Sequence, residues 1–475
     1  MVERRASLAL SALAASLALG GCMNLTPAYE RPAAPVAATY APELLPAGPA
    51  GAAGAAGAAA AEIEWQRYFA DERLKRLIDI ALANNRDLRV AVLNIEQARA
   101  SYQIKRAAEL PSIGAGIAAQ RAATNGAVGN IYSVGLQVTS FELDFFGRVR
   151  SLSAAALAQY LATDEARKTV QITLIASVAN AYVGLLADDE LLKVTRDTLD
   201  TRAESYRLTK LKFDNGAASE LDFRQAELLL EGAKATLAQT QRQRLQDENA
   251  LVLLLGQSMP ADLPAGLSLA AQQFSTELPA GLPSELLTRR PDVRSAEQQL
   301  LSANANIGAA RAAFFPNISL TANAGSASTQ LSGLFKSGTW AVTGTASLLQ
   351  PIFDAGRNQA NLEVAKANRD IAVAQYEQAI QTAFREVADS LAGRATLGEQ
   401  LRAQTAQASA AQVSFKLADL RYRNGAASYL DVLDAQRSLF TAQQATVLVQ
   451  AQQVQNLVTL YKVLGGGWKE PAAAP

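Results

Sequence analysis

The chain has 475 residues, with 44 Lys plus Arg against 44 Asp plus Glu, so it carries no net charge and lacks the electrostatic footprint of a nucleic-acid partner. It has no histidine, which excludes imidazole base catalysis and histidine-ligated metal. Its single cysteine excludes an internal disulfide and a cysteine metal cluster. A composition dominated by Ala, Leu and Gln suits long, closely packed helices better than a globular enzyme, and no cofactor, metal or catalytic residue is expected.

The N-terminus reads MVERRASLALSALAASLALGGCMNL. Arg4 and Arg5 form a basic start, and Ala6 to Leu19 form an apolar run of 14 residues. That run is short for a bilayer span but suits a signal peptide, here residues 1–21. Small residues stand directly before Cys22, a spacing that resembles a bacterial lipobox and makes Cys22 the expected lipid-bearing N-terminus. The alternative is an ordinary signal peptide with a chance cysteine. Met23 rather than Asp after the cysteine favours the outer membrane, by resemblance to sorted lipoproteins. Residues 22–61 are expected to be a lipidated N-terminus followed by a leash, since 33–61 are rich in Ala, Pro and Gly.

The remainder repeats itself. Asp87 and Pro111 recur as Asp292 and Pro316, at an offset of 205. Gly147, Asn215 and Leu255-Gly256 recur as Gly356, Asn424 and Leu464-Gly465, at an offset of 209. Two similar repeats therefore span 62–256 and 285–465, with a Pro-, Leu- and Gly-rich linker over 257–284 and a tail over 466–475. Each repeat opens with a helical stretch, 72–108 and 285–313. Short alternating segments follow. Tyr132, Val134, Leu136 and Val138 share one strand face. Ile318, Leu320, Ala322 and Ala324 oppose Asn317, Ser319, Thr321 and Asn323, and Trp340, Val342, Ala346 and Leu348 oppose Thr343, Thr345 and Ser347. The Ala- and Gly-rich segment 112–125 gives only a weak strand signal. Proline-free helical runs then cover 148–213 and 357–422, each about 100 Å long if continuous.

Both runs stop at the same word, NGAAS, at 215–219 and 424–428. Asn215-Gly216 and Asn424-Gly425 supply the left-handed residue that ends a helix. Ser219 and Ser428 can cap the returning helices, 219–255 and 428–464. Asp222 and Asp431 stand at capping-box spacing. Only the second copy adds Asp434; the first has Gln225. Leu430 and Asp434 are four apart on one helix face, and Asp431 is three before Asp434. If that face lines a pore, copies of the chain would stack a leucine ring beside carboxylate rings that repel one another and favour cations. The plainer readings are capping for Asp222 and Asp431 and an ordinary solvated residue for Asp434.

Four strands with one apolar face cannot keep open edges in a membrane and must close into a barrel. Single-chain bacterial barrels begin at about eight strands, so one chain cannot close a pore; three chains give twelve strands, enough for an aqueous lumen. Alternation alone also fits a soluble sandwich, but no second sheet is evident beside such long helices.

In order along the chain, PAYERP, LANNRDLRVAVLNIEQARA, FELDFFGR, RRPDVRSAEQQL, AAFFPNISL, PIFDAGR and LYKVLGGGW, joined to the repeat, resemble the TolC family of outer-membrane efflux proteins, in its OprM-like lipoprotein branch. The resemblance implies a mainly α fold with a membrane β-barrel: a homotrimer whose 12-stranded barrel continues as a periplasmic helical barrel with a mixed equatorial domain. It implies a passive exit duct for drugs, solvents or other small toxic compounds, working with a periplasmic adaptor protein and an inner-membrane RND-type transporter, and set in outer-membrane lipid. The alternatives are a duct for type I protein secretion and a non-conducting envelope tether. By the same resemblance the second tip forms the closed aperture, with Leu430 and Asp434 matching its pattern, and Tyr422 and Asp222 matching positions that tie closed tips together. The chain departs from TolC at Ala427, where TolC has arginine; Arg421 and Arg423 are the candidates to replace it.

Overall fold

In the computed structural model, residues 23–41, 43, 63–124, 127–272 and 289–468 are described. The signal peptide, Cys22, most of the leash, the later part of the linker and the end of the tail lie outside them. The elements run α1 (Trp65–Tyr68), α2 (Glu72–Asn84), α3 (Arg86–Ala107), β1 (Ile113–Thr124), β2 (Ala127–Glu142), α4 (Arg148–Asp214), α5 (Glu220–Leu255), α6 (Pro291–Ala312), β3 (Asn317–Ser328), β4 (Trp340–Leu349), α7 (Arg357–Arg423) and α8 (Tyr429–Val463). Two compact units cut across the repeats. The first holds the chain up to Ala33 with Leu93–Glu165 and Arg294–Ala379; the second holds Ala34–Val92, Ala166–Val293 and the chain from Ile380 onward.

The first unit carries one antiparallel sheet in the order β1-β2-β3-β4, so β2 and β3 join the two repeats. The weakly signalled segment is a full 12-residue strand, because pairing of its whole length with β2 supplies what its small side chains do not. An extra residue between Val138 and Phe141 forms a bulge, with Ser140 at φ +54°. The bulge sets Phe141 opposite Leu320 and Glu142 opposite Ser319. Glu142 then holds Arg148, its Oε1 accepting from Nε at 2.8 Å, at the start of α4. The helices of this unit are tied across the repeats as well: Glu165 of α4 pairs with Arg294 at 2.8 Å, and Ser295 donates to the Ala162 carbonyl at 2.9 Å.

The second unit is helical. The expected helix over 72–108 is two helices, broken at Asn85. Its N–H still bonds the Ala81 carbonyl, while its Oδ1 accepts from the Leu88 N–H and caps α3. Its Nδ2 donates to the Leu254 carbonyl, fixing the break against the end of α5. Gly256 ends α5 at φ +69°, where a Cβ would sit 2.4 Å from the Asn84 carbonyl oxygen, so both the turn and the contact require glycine. α6 begins at Pro291, a residue suited to the first helical position because it has no N–H to leave unbonded. Asp71, 1% exposed, gathers Tyr182 OH and the N–H of Leu267 and Gln272 Nε2 around one carboxylate while capping α2. Tyr68 and Tyr461 stack at 4.1 Å, and each hydroxyl donates to a main-chain carbonyl, of Leu457 and Ile63. α4 contains a stretch apolar enough to cross a membrane, but 56% of that stretch is buried, with Ile175, Val178, Ala179 and Val183 fully covered. That burial accounts for its hydropathy.

Candidate functional site

The two hairpin turns share one hydrogen-bond pattern. At the first, Gly216 N–H bonds the Phe213 carbonyl and Ala217 N–H the Lys212 carbonyl; at the second, Gly425 bonds Tyr422 and Ala426 bonds Arg421. Gly216 and Gly425 lie at φ +71° and +72°. Asn215 and Asn424 each turn their Nδ2 back to the carbonyl four residues earlier, at 2.7 Å. These bonds occupy the carbonyls that a helix end leaves free.

The caps differ. Ser428 Oγ accepts from the Asp431 N–H, and Asp431 Oδ2 accepts from the Ser428 N–H at 3.0 Å, a complete capping box. At the first tip Ser219 accepts from the Asp222 N–H at 3.1 Å, while Asp222 takes the Ser219 hydroxyl rather than its N–H. Both aspartates are thus engaged at their own helix starts.

Beyond the caps, α8 divides into two faces. Tyr429, Val432 and Leu433 are buried, with Ala226 of α5, against Tyr206, Phe415 and Tyr422. Leu430, 51% exposed, and Asp434 share a face, as their four-residue spacing requires, and both are exposed outside that cluster. Asp434 is paired with Arg437 at 3.1 Å. Tyr422 lies under the Lys212 ammonium at 4.3 Å and beside Tyr429 at 5.3 Å. Within the chain, no hydrogen bond joins Tyr422 and Asp222. Arg423 is held by Asp419 at 2.8 Å, and Arg421 reaches the Ala426 carbonyl at 3.3 Å. The partner role of Arg437 escaped sequence reading, although its three-residue spacing from Asp434 was a visible signal.

The sheet forms a second candidate surface. Register sets Ile117, Val134, Ser326 and Trp340 in one row, then Ala115, Leu136, Ala324 and Val342, then Ile113, Val138, Ala322 and Gly344. The bulge keeps Phe141, Leu320 and Ala346 on the same face, and Ile318 with Leu348 ends it. The result is an apolar band across all four strands, about 26 Å along β3. Ile117, Leu136, Trp340 and Val342 are 56–81% exposed. The opposite face carries Gln120, Ser133, Gln137, Asn323, Thr343, Thr345 and Ser347. β1 and β4 each pair on one side only.

A buried carboxyl also went unread in the sequence. Asp188 of α4, 6% exposed, lies near Asp247 of α5, and burial, followed by that neighbouring carboxyl, pushes the Asp188 carboxyl up to about 7.

Comparison with known proteins agrees with this arrangement. The chain matches the family described as outer membrane efflux protein over residues 77–257 and 282–466. It is 49% identical over 473 residues to the toluene efflux pump outer membrane protein TtgC of Pseudomonas putida, covering 97% of this chain and 96% of that protein. It is 43% identical to the outer membrane protein OprJ of Pseudomonas aeruginosa, over 98% of this chain and 97% of OprJ. Among solved structures, the open state of the Neisseria gonorrhoeae MtrE outer membrane channel superposes with a TM-score of 0.83 at 43% identity, covering 93% of this chain and 98% of MtrE. CusC superposes with a TM-score of 0.81 at 38% identity, covering 93% of this chain and all of CusC. The chain belongs to the outer membrane efflux protein family.

Proposed function

We propose that three copies of this chain close one twelve-stranded barrel in the outer membrane and that their long helices line a periplasmic duct. Through it small toxic compounds, solvents or antibiotics would leave the cell. The observation that carries this reading is the apolar band on a sheet with two unpaired edges. Exposed apolar rows suit lipid, and edges must be paired there, since no water can satisfy their N–H and C=O groups. The opposite polar face suits a wet lumen. The name of the P. putida relative, a toluene efflux pump protein, supports a small-molecule cargo over secreted protein. A periplasmic adaptor and an inner-membrane RND-type transporter complete the proposed pump, and selection among substrates lies in that transporter. The duct itself contributes no enzymatic step.

The aperture is assigned to the second tip, with Leu430 and Asp434 on the channel side and Asp431, Asp222, Tyr422 and the Asn-Gly turns shaping the tips. Lipidation is assigned to Cys22. Mass in detergent, corrected for bound detergent, should equal three chains, and planar bilayers should show discrete conductance. A conducting monomer would contradict the strand argument; trimers without conductance would favour the tether. Mass spectrometry should find a diacylglyceryl-cysteine at residue 22, and a mature terminus elsewhere would remove the anchor.

A further inference from the structure

The residues following Cys22 do not hang free. Met23 N–H bonds the Phe145 carbonyl at 3.2 Å, three residues past the end of β2. From there the segment lies along α6. Arg311 Nη1 donates to the Leu25 carbonyl at 3.0 Å, and Asn304 Nδ2 to the Pro27 carbonyl at 2.8 Å. Glu297 then takes three bonds: Tyr29 OH at 2.9 Å, and Arg31 Nε and Nη2 at 2.7 and 3.0 Å. Thr26 Oγ1 meets Ser151 Oγ of α4 at 3.2 Å. Between these contacts Gly308 makes room: a Cβ there would stand 2.2 Å from Thr26 Oγ1 and 2.9 Å from the Thr26 nitrogen.

The α6 residues in this set are 297, 304, 308 and 311. Their separations of seven, four and three place them on one helix face. The lengths agree too. Fourteen residues of helix rise about 21 Å. Six steps of extended chain, from Leu25 to Arg31, cover about 20 Å. The carbonyls taken up, Leu25 and Pro27, are two apart, as on one edge of an extended peptide. Asn304 and Arg311 read main chain and accept any sequence. Glu297 reads a Tyr-x-Arg pair, and its side chain is only 10% exposed beneath it.

We propose that this face of α6, completed by Ser151, is a binding site for an extended peptide bearing Tyr-x-Arg, and that its occupant is the chain's own N-terminal segment. Where Cys22 carries lipid, a reading this inference takes from the proposed function, the site fixes the acylated end beside the β2 terminus, at the inner-leaflet edge of the apolar band. The groove, rather than the acyl chain alone, then sets the depth of the anchor.

The lipidated protein carrying Thr26→Cys and Ser151→Cys tests the groove, because the sulfur of an acylated Cys22 cannot compete for the disulfide. An intramolecular disulfide is expected without added oxidant beyond air. Failure to form it, or an interchain crosslink on a non-reducing gel, overturns docking in cis. Glutamyl endopeptidase cutting after Glu30 provides the second reading. Arg31→Ala with Tyr29→Phe, which leaves α6 intact, should be cut at least tenfold faster than wild type, and Gly308→Leu should behave alike. Equal cutting in all three proteins overturns the site. A spin label at Met23→Cys reads depth: one narrow depth in the parent, a broad spread in the released variants. An equally narrow depth in both would show that the acyl chain alone suffices. A terminus without lipid together with an intact crosslink would remove the anchor reading and leave the groove standing.

Discussion

Asp434 and Arg437 form an ion pair, 3.1 Å apart, on the exposed face of α8, and the corresponding residues of the first repeat, Gln225 and Leu228, carry no charge at all. The first tip places its own ion pairs one position earlier, where Arg224 meets Glu220 and Glu227, so the two tips carry their charge on different helix positions. With both side chains about half exposed, the pair contributes little to stability, on the order of 0–1 kcal/mol. Its consequence is electrostatic, because Arg437 offsets the field of Asp434.

Asp434→Ala is expected to raise single-channel conductance modestly and to lower cation preference, and the double variant with Leu430→Ala to do so more strongly. Arg437→Ala should act in the opposite sense on selectivity, unmasking the carboxylate and raising cation preference. Reversal potentials in a salt gradient across a planar bilayer measure both. Unchanged conductance and selectivity in the double variant, with trimers intact, would place the gate elsewhere.

Asp71 is the residue whose loss the second unit should tolerate least. One carboxylate satisfies Tyr182, Leu267 and Gln272 and caps α2. Asp71→Ala leaves several buried donors without an acceptor, at a cost of about 3 kcal/mol or more. A clear drop in melting temperature is expected, with Asp71→Asn falling between. A melting curve identical to wild type would show that water replaces the carboxylate freely.

These two sites differ in how far the sequence revealed them. The tip was legible because its chemistry is local: Asn-Gly, Ser and Asp act within a few residues of one another, and the duplication repeats the pattern. Alternation likewise revealed the apolar face, because Ile318, Leu320, Ala322 and Ala324 lie on one side of β3 and Ser319, Thr321 and Asn323 on the other. Asp71 was not legible, since its partners lie 111, 196 and 201 positions away. The break at Asn85 was hidden because its stabilising contact is the Leu254 carbonyl, on another helix. Nothing in the composition of 23–31 showed that it docks, and only a helix face over 260 residues distant shows it.

The join between repeats makes a further prediction. Gly135 of β2 faces Gly325 of β3. A Cβ on Gly325 would lie 2.2 Å from the Val134 carbonyl oxygen, and one on Gly135 2.5 Å from that of Ala324. Strands this close leave no space for a side chain on the polar face. Gly325→Val should therefore abolish most folded trimer, read as the heat-modifiable band on a cold SDS gel. Gly114→Val on the same face meets nothing within 4 Å and should assemble normally. Full assembly of Gly325→Val would mean that β2 and β3 do not pair this closely in the membrane.

The buried Asp188 gives the stability of the helical hairpin a pH dependence. Asp188 faces Asp247 and Asp189, and the cation near it is Arg244, which is already paired with Asp189 at 2.6 Å and Glu248 at 2.7 Å. Burial first, then the neighbouring Asp247 and Asp189, disfavour the ionised form, so the Asp188 carboxyl is pushed up to about 7 from an ordinary 3.8. A carboxyl whose pKa is higher in the folded chain binds its proton more tightly there. Stability is then fully present below about pH 4, where folded and unfolded chains are both protonated, and declines as pH rises towards 7. Melting temperature should fall between pH 5 and pH 8, corresponding to roughly 1–3 kcal/mol. Asp188→Asn keeps the shape and removes the charge, so it should melt higher than wild type at pH 8 and lose much of the pH dependence. Parallel curves for wild type and variant across that range would show that Asp188 is already ionised and that water or Arg244 compensates it.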